Sequence, residues 1–370
     1  MAPLLTAALI TRDESKFLEG CLESLVGIVD EIVVVDTGSV DDTTAIATHF
    51  GARLFHYPWN GDFAAARNQS LEAASGQWIL YIDADERLVN TDRAKVEQLL
   101  VGANEVAFRI LFRPRPTATP YREYRLWRND PRIRFEGVIH EKVVPAIHRV
   151  ALDDDRIIAN ADLMLVHLGY EGDQTKKHHR NLPLLRQQLE VEPDNLFARH
   201  HLARILEALG EPNEAEDELT KVVTSSRLVS IPNPVASLSY ADLIRLRSSR
   251  GEDTSGLVDE ALQKFPENCV LLWIAARQAM QRSAYEEAIN YLDQILATDW
   301  VTQPDDGPSY DQELVGEFPW STKALCLFRL GRYADAAKAY AMAASFAPGN
   351  PTYRVKEELA AARARRFMIQ

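Results

Sequence analysis

Three short apolar runs, each closing on a polar or acidic residue, constrain this chain of 370 residues more than any other feature. Leu4–Thr11 (LLTAALIT), Glu31–Asp36 (EIVVVD) and Trp78–Asp83 (WILYID) show little polar alternation, so each suits a strand buried on both faces. Between them the period becomes helical. Phe17–Val26 places Phe17, Leu18, Cys21, Leu22 and Leu25 on one face, and Asp41, Asp42 and Thr43 offer an N-cap to a helix over Ala45–Phe50. Ala52–His56 reads as a short strand and Phe63–Ser75 as a helix that Gly76 stops. The order β-α-β-α-β-α-β predicts a parallel sheet with crossover helices. Beyond residue 92 the pattern loosens into a helix near Ala94–Val101 and strands at Glu105–Phe112, Val138–Val143 and Leu163–His167.

From Thr175 the sequence predicts helices alone, with an internal repeat. A Pro-x-Asn element recurs at Pro193, Pro266 and Pro348, with separations of 73 and 82 residues. The first is close to two units of the roughly 34-residue tetratricopeptide repeat, and the second fits two units plus an insertion at Asp299–Pro319. A turn with Ala five positions on recurs at Gly210/Ala215, Ser283/Ala288 and Gly331/Ala336. The repeat over Ile231–Phe265 is degenerate. The reading is therefore an α/β domain over 1–174 and an all-α helical-repeat domain over 175–370.

Composition narrows the partners. A formal charge of −13 argues against nucleic acid, which needs a basic surface. No apolar run reaches the ~18 residues of a membrane span, and MAPLLTAALI lacks a basic leader. Cys21, Cys269 and Cys326 are far apart, which predicts buried free thiols and a cytoplasmic setting. The pairs His178-His179 and His200-His201 lack the spacing of a helical metal site.

Asp83-Ala84-Asp85 follows the third apolar run. Two carboxylates at the carboxyl edge of a parallel sheet can hold a hard divalent cation and a ribose hydroxyl, although an isolated pair of this kind more often makes a solvated acidic turn. The upstream segments favour the first reading. LTAALITRDES, EIVVVDTGSVDDTTAIA, DFAAARNQSLEAASGQWILYIDADE, RLWRNDPRIRFEGVIHE and LMLVHLGY, in this order, resemble the family 2 glycosyltransferases of the GT-A fold. The resemblance is to a bacterial subgroup with tetratricopeptide-like repeats after the transferase, in which some members glycosylate peptides, including at cysteine sulfur.

That resemblance implies an α/β GT-A domain (Rossmann-like, mostly parallel sheet) and metal-dependent, inverting transfer from a nucleotide-diphosphate sugar, with UDP favoured and Mn²⁺ or Mg²⁺ as cofactor. Thr11 would line the nucleoside pocket, Asp36 would accept from the base, and Arg67 would reach the base or diphosphate. Asp83 would bind ribose or a metal-bound water, and Asp85 and His167 the metal. Asp62 and Asn68 would shape the same pocket. Relatives often place the base in a Glu-Asp pair. Here His140-Glu141 stands there, and Glu141 is the expected base, with His140 positioning the acceptor or diphosphate. The acceptor would be a peptide, protein or small molecule, and the repeats would hold it or join copies of the chain into a homo-oligomer. The Arg- and aromatic-rich stretch Arg122–Arg134 is expected to wall the acceptor site, and the basic run Lys176–Arg180 to be a solvated helix start. Two other readings are a catalytically inactive scaffold that binds partners through its repeats, and a nucleotidyltransferase. The latter usually carries a Gly-rich basic loop after the first strand, where this chain has TRDESKF.

Overall fold

The computed structural model describes residues 3–169, 174–225, 234–298 and 309–367. They fall into two compact units, the first running to Pro193 apart from 117–119, the second from Asp194 onward.

The first unit is built on one sheet. Strands β1 (Leu5–Thr11), β2 (Glu31–Asp36), β3 (Arg53–His56) and β4 (Trp78–Tyr81) alternate with helices α1 (Ser15–Glu23), α2 (Thr43–His49) and α3 (Phe63–Ala73). They pair in parallel in the order β3-β2-β1-β4. Burial is two-sided, as the apolar runs require: Leu5, Ala7 and Leu9 of β1 join the core beneath Leu18, Cys21 and Leu22, while Ala8 faces Ala64 and Leu71 of α3. The other half of the sheet is mixed. After β5 (Glu86–Val89) and α4 (Arg93–Leu100), strands β6 (Ala107–Arg113) and β7 (Tyr121–Arg128) form an antiparallel pair. β7 lies antiparallel to β4 as well, and helix α5 (Val144–Asp153) leads to β8 (Ile158–His167), which runs parallel to β6 and antiparallel to β5.

Several elements differ from the sequence reading. Tyr121–Arg128 is an internal strand with Trp127 in the core, not an acceptor wall. Its arginines hid this, because each finds a partner in the fold: Arg122 pairs with Asp162, Arg125 with Glu86 and Glu123, and Arg128 donates to the Glu105 carbonyl. Val138–Val143 is a loop with one bridge, Glu136–Lys142, because Pro145 near the start of α5 turns the following residues helical. Gly76 does not cap α3. A Cβ there would lie 2.6 Å from Thr6 Oγ1 and 2.8 Å from the Thr6 amide nitrogen, so glycine is needed for close backbone approach. The compact unit also extends past the expected 174/175 boundary, because α6 (Thr175–Val191) belongs with the sheet.

The second unit is a stack of helical hairpins: α7 (Leu196–Ala208) with α8 (Pro212–Val223), α9 (Pro234–Ser249) with α10 (Ser255–Lys264), α11 (Cys269–Gln281) with α12 (Tyr285–Ala297), and α14 (Glu317–Arg329) with α15 (Tyr333–Phe346). A short helix α13 (Gln312–Val315) precedes α14, and α16 (Pro351–Phe367) packs on α15. The Pro-x-Asn element is a helix start. Asn195 and Asn268 accept hydrogen bonds from Ala198 N and Leu271 N, and Asn350 accepts from Thr352 N. Gly210, Ser283 and Gly331 all carry positive φ at the hairpin turns, and Ala215, Ala288 and Ala336 are fully buried where the paired helices cross. Of the expected insertion, residues 309–319 are α13 and the start of α14, and 299–308 lie outside the described residues, as do 231–233 of the degenerate repeat. The three cysteines are buried free thiols, and no described helix is long and apolar enough to cross a membrane.

Gly76→Ala is expected to destabilise the protein by about 1–3 kcal/mol, the usual cost of overpacking. Gly349→Ala, where an added Cβ meets nothing, should be near neutral. Urea unfolding of both variants checks this.

Candidate active site

Parallel strands in an open α/β sheet present their carboxyl ends to one edge, where ligands bind. Thr11 ends β1, Asp36 ends β2 and Asp83 follows β4. A cleft of ≈ 420 Å³ opens along this edge, lined among others by Thr11, Arg67, Asp83, Asp85, His140 and His167. The Thr11 hydroxyl is buried there without a hydrogen-bond partner, a state that costs about 1–3 kcal/mol unless a ligand satisfies it.

Asp83 is the most heavily tied residue of the site. It accepts from Arg67 Nη1 at 2.9 Å and from Tyr81 Oη at 3.2 Å, and Arg125 approaches to 4.0 Å. Both guanidinium groups lie over the Tyr81 ring, at 4.3 and 4.4 Å from its centre. Burial opposes ionisation of Asp83, but Arg67 and then Arg125 outweigh it and hold the carboxyl below its ordinary value. Behind it, Glu86 is fully buried, accepts from Arg125 Nη2 at 2.9 Å, and receives the Asp83 amide at 2.9 Å.

Asp85 faces the other way. Its Oδ2 lies 3.1 Å from His167 Nε2, while His167 Nδ1 is 3.2 Å from the Pro114 carbonyl. Burial works against charge on His167, but its hydrogen bond to Asp85 and the surrounding carboxylates raise its pKa. Pairing of β5 with β8 sets Glu86 opposite His167, and Leu168 N donates to Asp85 O at 2.8 Å, so sheet register brings the two side chains together. Asp85 occupies space that only a glycine leaves open: a Cβ on Gly169 would fall 1.8 Å from its Oδ2. Glu14, unremarked in the sequence reading, also lines this end. Its carboxyl is pushed up to about 7 by burial and by the charges of Asp85 and Asp83, against Lys177 and Arg180. A carboxylate beside an imidazole is a donor set that a divalent cation can use. Among the described residues no three His, Cys, Asp or Glu side chains converge as a metal-binding group.

His140 and Glu141 part company. His140 lines the cleft with φ of 52°, and burial lowers its pKa, so it is a neutral imidazole at pH 7. Glu141 instead accepts a close hydrogen bond from Arg67 Nε. Asn68 holds the loop that carries them: it donates to the Phe135 carbonyl at 3.0 Å and accepts from Phe135 N at 2.8 Å. Asp62 caps α3 through Ala65 N, and Asp36 accepts from the amides of Gly38 and Ser39. These three shape the surroundings and do not line the cleft itself.

The basic run is not a solvated helix start alone. Lys177, Arg180 and Asn181 of α6 line the cleft, and the Arg180 guanidinium lies 5.1 Å from the centre of the Phe63 ring. Their i, i+3 and i+4 spacing was the available signal, since it puts all three on one helical face.

The fold and cleft define an α/β domain of the GT-A kind with an acidic ligand edge. Residues 6–133 match the glycosyl transferase family 2. A TPR repeat-containing protein of Synechococcus elongatus is 34% identical over 259 residues, covering 68% of this chain and 63% of that protein. The glycosyltransferase SunS of Bacillus subtilis is 29% identical over 60% of this chain and 54% of its own length. The chain thus spans somewhat more than half the length of these relatives. Among solved structures, glucosyl-3-phosphoglycerate synthase from Mycobacterium tuberculosis in complex with Mn²⁺, UDP-glucose and glycerol 3-phosphate is 21% identical, with 51% of this chain and 79% of that chain covered and a TM-score of 0.36.

Because the Glu14 pKa is raised on folding, its neutral form is favoured in the native state. The stabilisation is full below the ordinary glutamate value and is lost as pH rises through about 7. Glu14→Gln removes that loss. With EDTA present it should be more stable than the parent at pH 8 by about 1–2 kcal/mol after allowance for solvent screening, with the difference shrinking toward pH 4. Denaturant melts across pH test this.

Proposed function

We propose that the chain is a metal-dependent, inverting glycosyltransferase that takes a sugar from a nucleoside-diphosphate donor, UDP-linked by preference, to an acceptor hydroxyl or thiol. One observation carries the reading: a family 2 domain gathers Thr11, Asp83, Asp85 and His167 at the carboxyl edge of its parallel strands, beside a Glu14 whose pKa is raised by burial and then by Asp85 and Asp83. Asp85 and His167 would hold the cation. When bound, it supplies positive charge to the departing diphosphate. Asp83, fixed by Arg67 and Tyr81, is placed to accept from a ribose hydroxyl. Thr11 offers the nucleoside a buried hydroxyl, and the amide-capped Asp36 shapes the end of β2 beside it.

The base is the point at which geometry favours a different residue from the expected Glu141. Inversion needs a proton acceptor on the face opposite the leaving group. His140 is neutral and lines the cleft, whereas an oxygen of Glu141 is committed to Arg67. We therefore assign His140 to receive the acceptor proton and Glu141 to hold Arg67. The stacked hairpins of the second unit, which as a class build extended concave surfaces, are assigned to the acceptor.

Two measurements test this. Asp85→Asn and His167→Ala should each reduce the Mn²⁺-dependent gain in UDP affinity by at least about 10–100-fold, the cost of losing even a supporting group at a metal site, while the melting temperature in EDTA stays near the parent. An undiminished gain in both variants rejects the metal site. For the base, His140→Ala should keep donor affinity and lower the transfer rate by about 10²–10⁴. Glu141→Gln should weaken donor binding, since it releases Arg67. A His140 variant with full transfer activity, beside a Glu141 variant that binds donor normally but does not transfer, returns the role to Glu141.

A further inference from the structure

The cations around the cleft are unequally committed. Arg67 spends Nε on Glu141 and Nη1 on Asp83, with its face on Tyr81. Arg125 is consumed by Glu86, Glu123 and the same ring. Arg67, the side chain expected to reach the diphosphate, is therefore already neutralised by two carboxylates. Lys177 and Arg180 are different. Among the described residues neither forms an ion pair with a carboxylate, although both line a cleft that contains Glu14, Asp83 and Asp85. Arg180 is positioned without being neutralised. Its face lies over Phe63, whose ring meets Trp59 edge-on at 4.6 Å, and its Nε donates to Asn181 Oδ1 at 3.0 Å. That leaves the terminal nitrogens of the guanidinium for another acceptor. Burial lowers its pKa against the charge of Glu14, with Arg12 adding to the lowering.

Resting on the reading above, we propose that Lys177 and Arg180 of α6 form the binding site for the donor's diphosphate, the role expected of Arg67. An arginine fork with an ammonium one turn away matches adjacent phosphate groups, the first by directed N–H donors and the second as a mobile point charge. An acidic cleft would otherwise repel a diphosphate, and among the described residues these two, with Arg12, are the cations lining it that form no ion pair with a carboxylate. The helix lies beyond the residues that match the family, 6–133, so the family likeness does not assign it.

The test is titration calorimetry in Mn²⁺ with UDP and with uridine, on the parent and on Lys177→Gln, Arg180→Gln, Arg180→Lys and the double glutamine variant. Each single loss of charge should weaken UDP binding by about 10-fold and the double by about 100-fold, as for loss of charge-assisted hydrogen bonds. Uridine affinity should change less than about 2-fold, because no phosphate is involved. Arg180→Lys should recover part of the loss, and the double variant should show a weaker salt dependence. Lys177 is exposed, so its variant reports even if the Arg180 changes disturb packing on Phe63; melting curves identify that case. Parent-like UDP binding by the double variant overturns this inference and leaves the proposed function standing. Equal losses for UDP and uridine overturn it too, since the side chains would then only shape the pocket. A parent that binds none of UDP, GDP, CDP, ADP or dTDP overturns the proposed function, and this inference with it.

Discussion

The Arg67 side chain is the interaction on which the site depends. It starts on α3, passes over the Tyr81 ring at the end of β4, and joins Asp83 to Glu141. Three separate stretches of chain are thereby fixed by one guanidinium: the helix, the strand end and the loop after Phe135. Removing one member of such a buried set leaves the others charged and unpaired, at a cost of about 3–5 kcal/mol. Asn68, one residue along α3, ties the same loop through the Phe135 backbone, so the helix positions that loop twice.

This arrangement divides the charge of the cleft. One side is a carboxylate edge, where Asp85 reaches His167 and Glu14 is kept high in pKa by burial and its neighbours. The other is α6, whose Lys177 and Arg180 form no ion pair with a carboxylate among the described residues. Between them Arg67 and Arg125 hold structure together and contribute little net charge, because Asp83, Glu86, Glu123 and Glu141 absorb it. Under the proposed function the ligand is a metal-bound nucleoside diphosphate, which carries both cation and anion.

In the second unit the same few devices recur among the hairpins. In α7/α8 and α11/α12 an asparagine caps the first helix, a residue with positive φ turns the chain and a fully buried alanine sits on the second helix, and α14/α15 keeps the turn and the alanine with Gly316 at the helix start. Ser283 takes the left-handed turn that Gly210 and Gly331 take elsewhere, so the conformation belongs to the repeat and not to the residue type.

Local patterns carried the parallel half of the sheet, the helical hairpins and the family. Buried strands leave continuous apolar runs, caps and turns leave short motifs, and Asp83-Ala84-Asp85 follows one of those runs directly. What lay beyond the sequence was decided by partners distant along the chain. β7 was hidden because its arginines look solvated until Glu86 and Asp162 are brought beside them from other strands, joining Glu123 of β7 itself. The helical role of Gly76 failed because the constraint on it is Thr6, seventy residues away. Glu14 and α6 joined the cleft only when the sheet edge gathered them, and folding set Arg67 against the carboxylate of Glu141, the expected base. Periodicity and capping act over a few residues and are written in the sequence. The pairing of a charge depends on which opposite charge the fold delivers to it, and only the tertiary structure decides that.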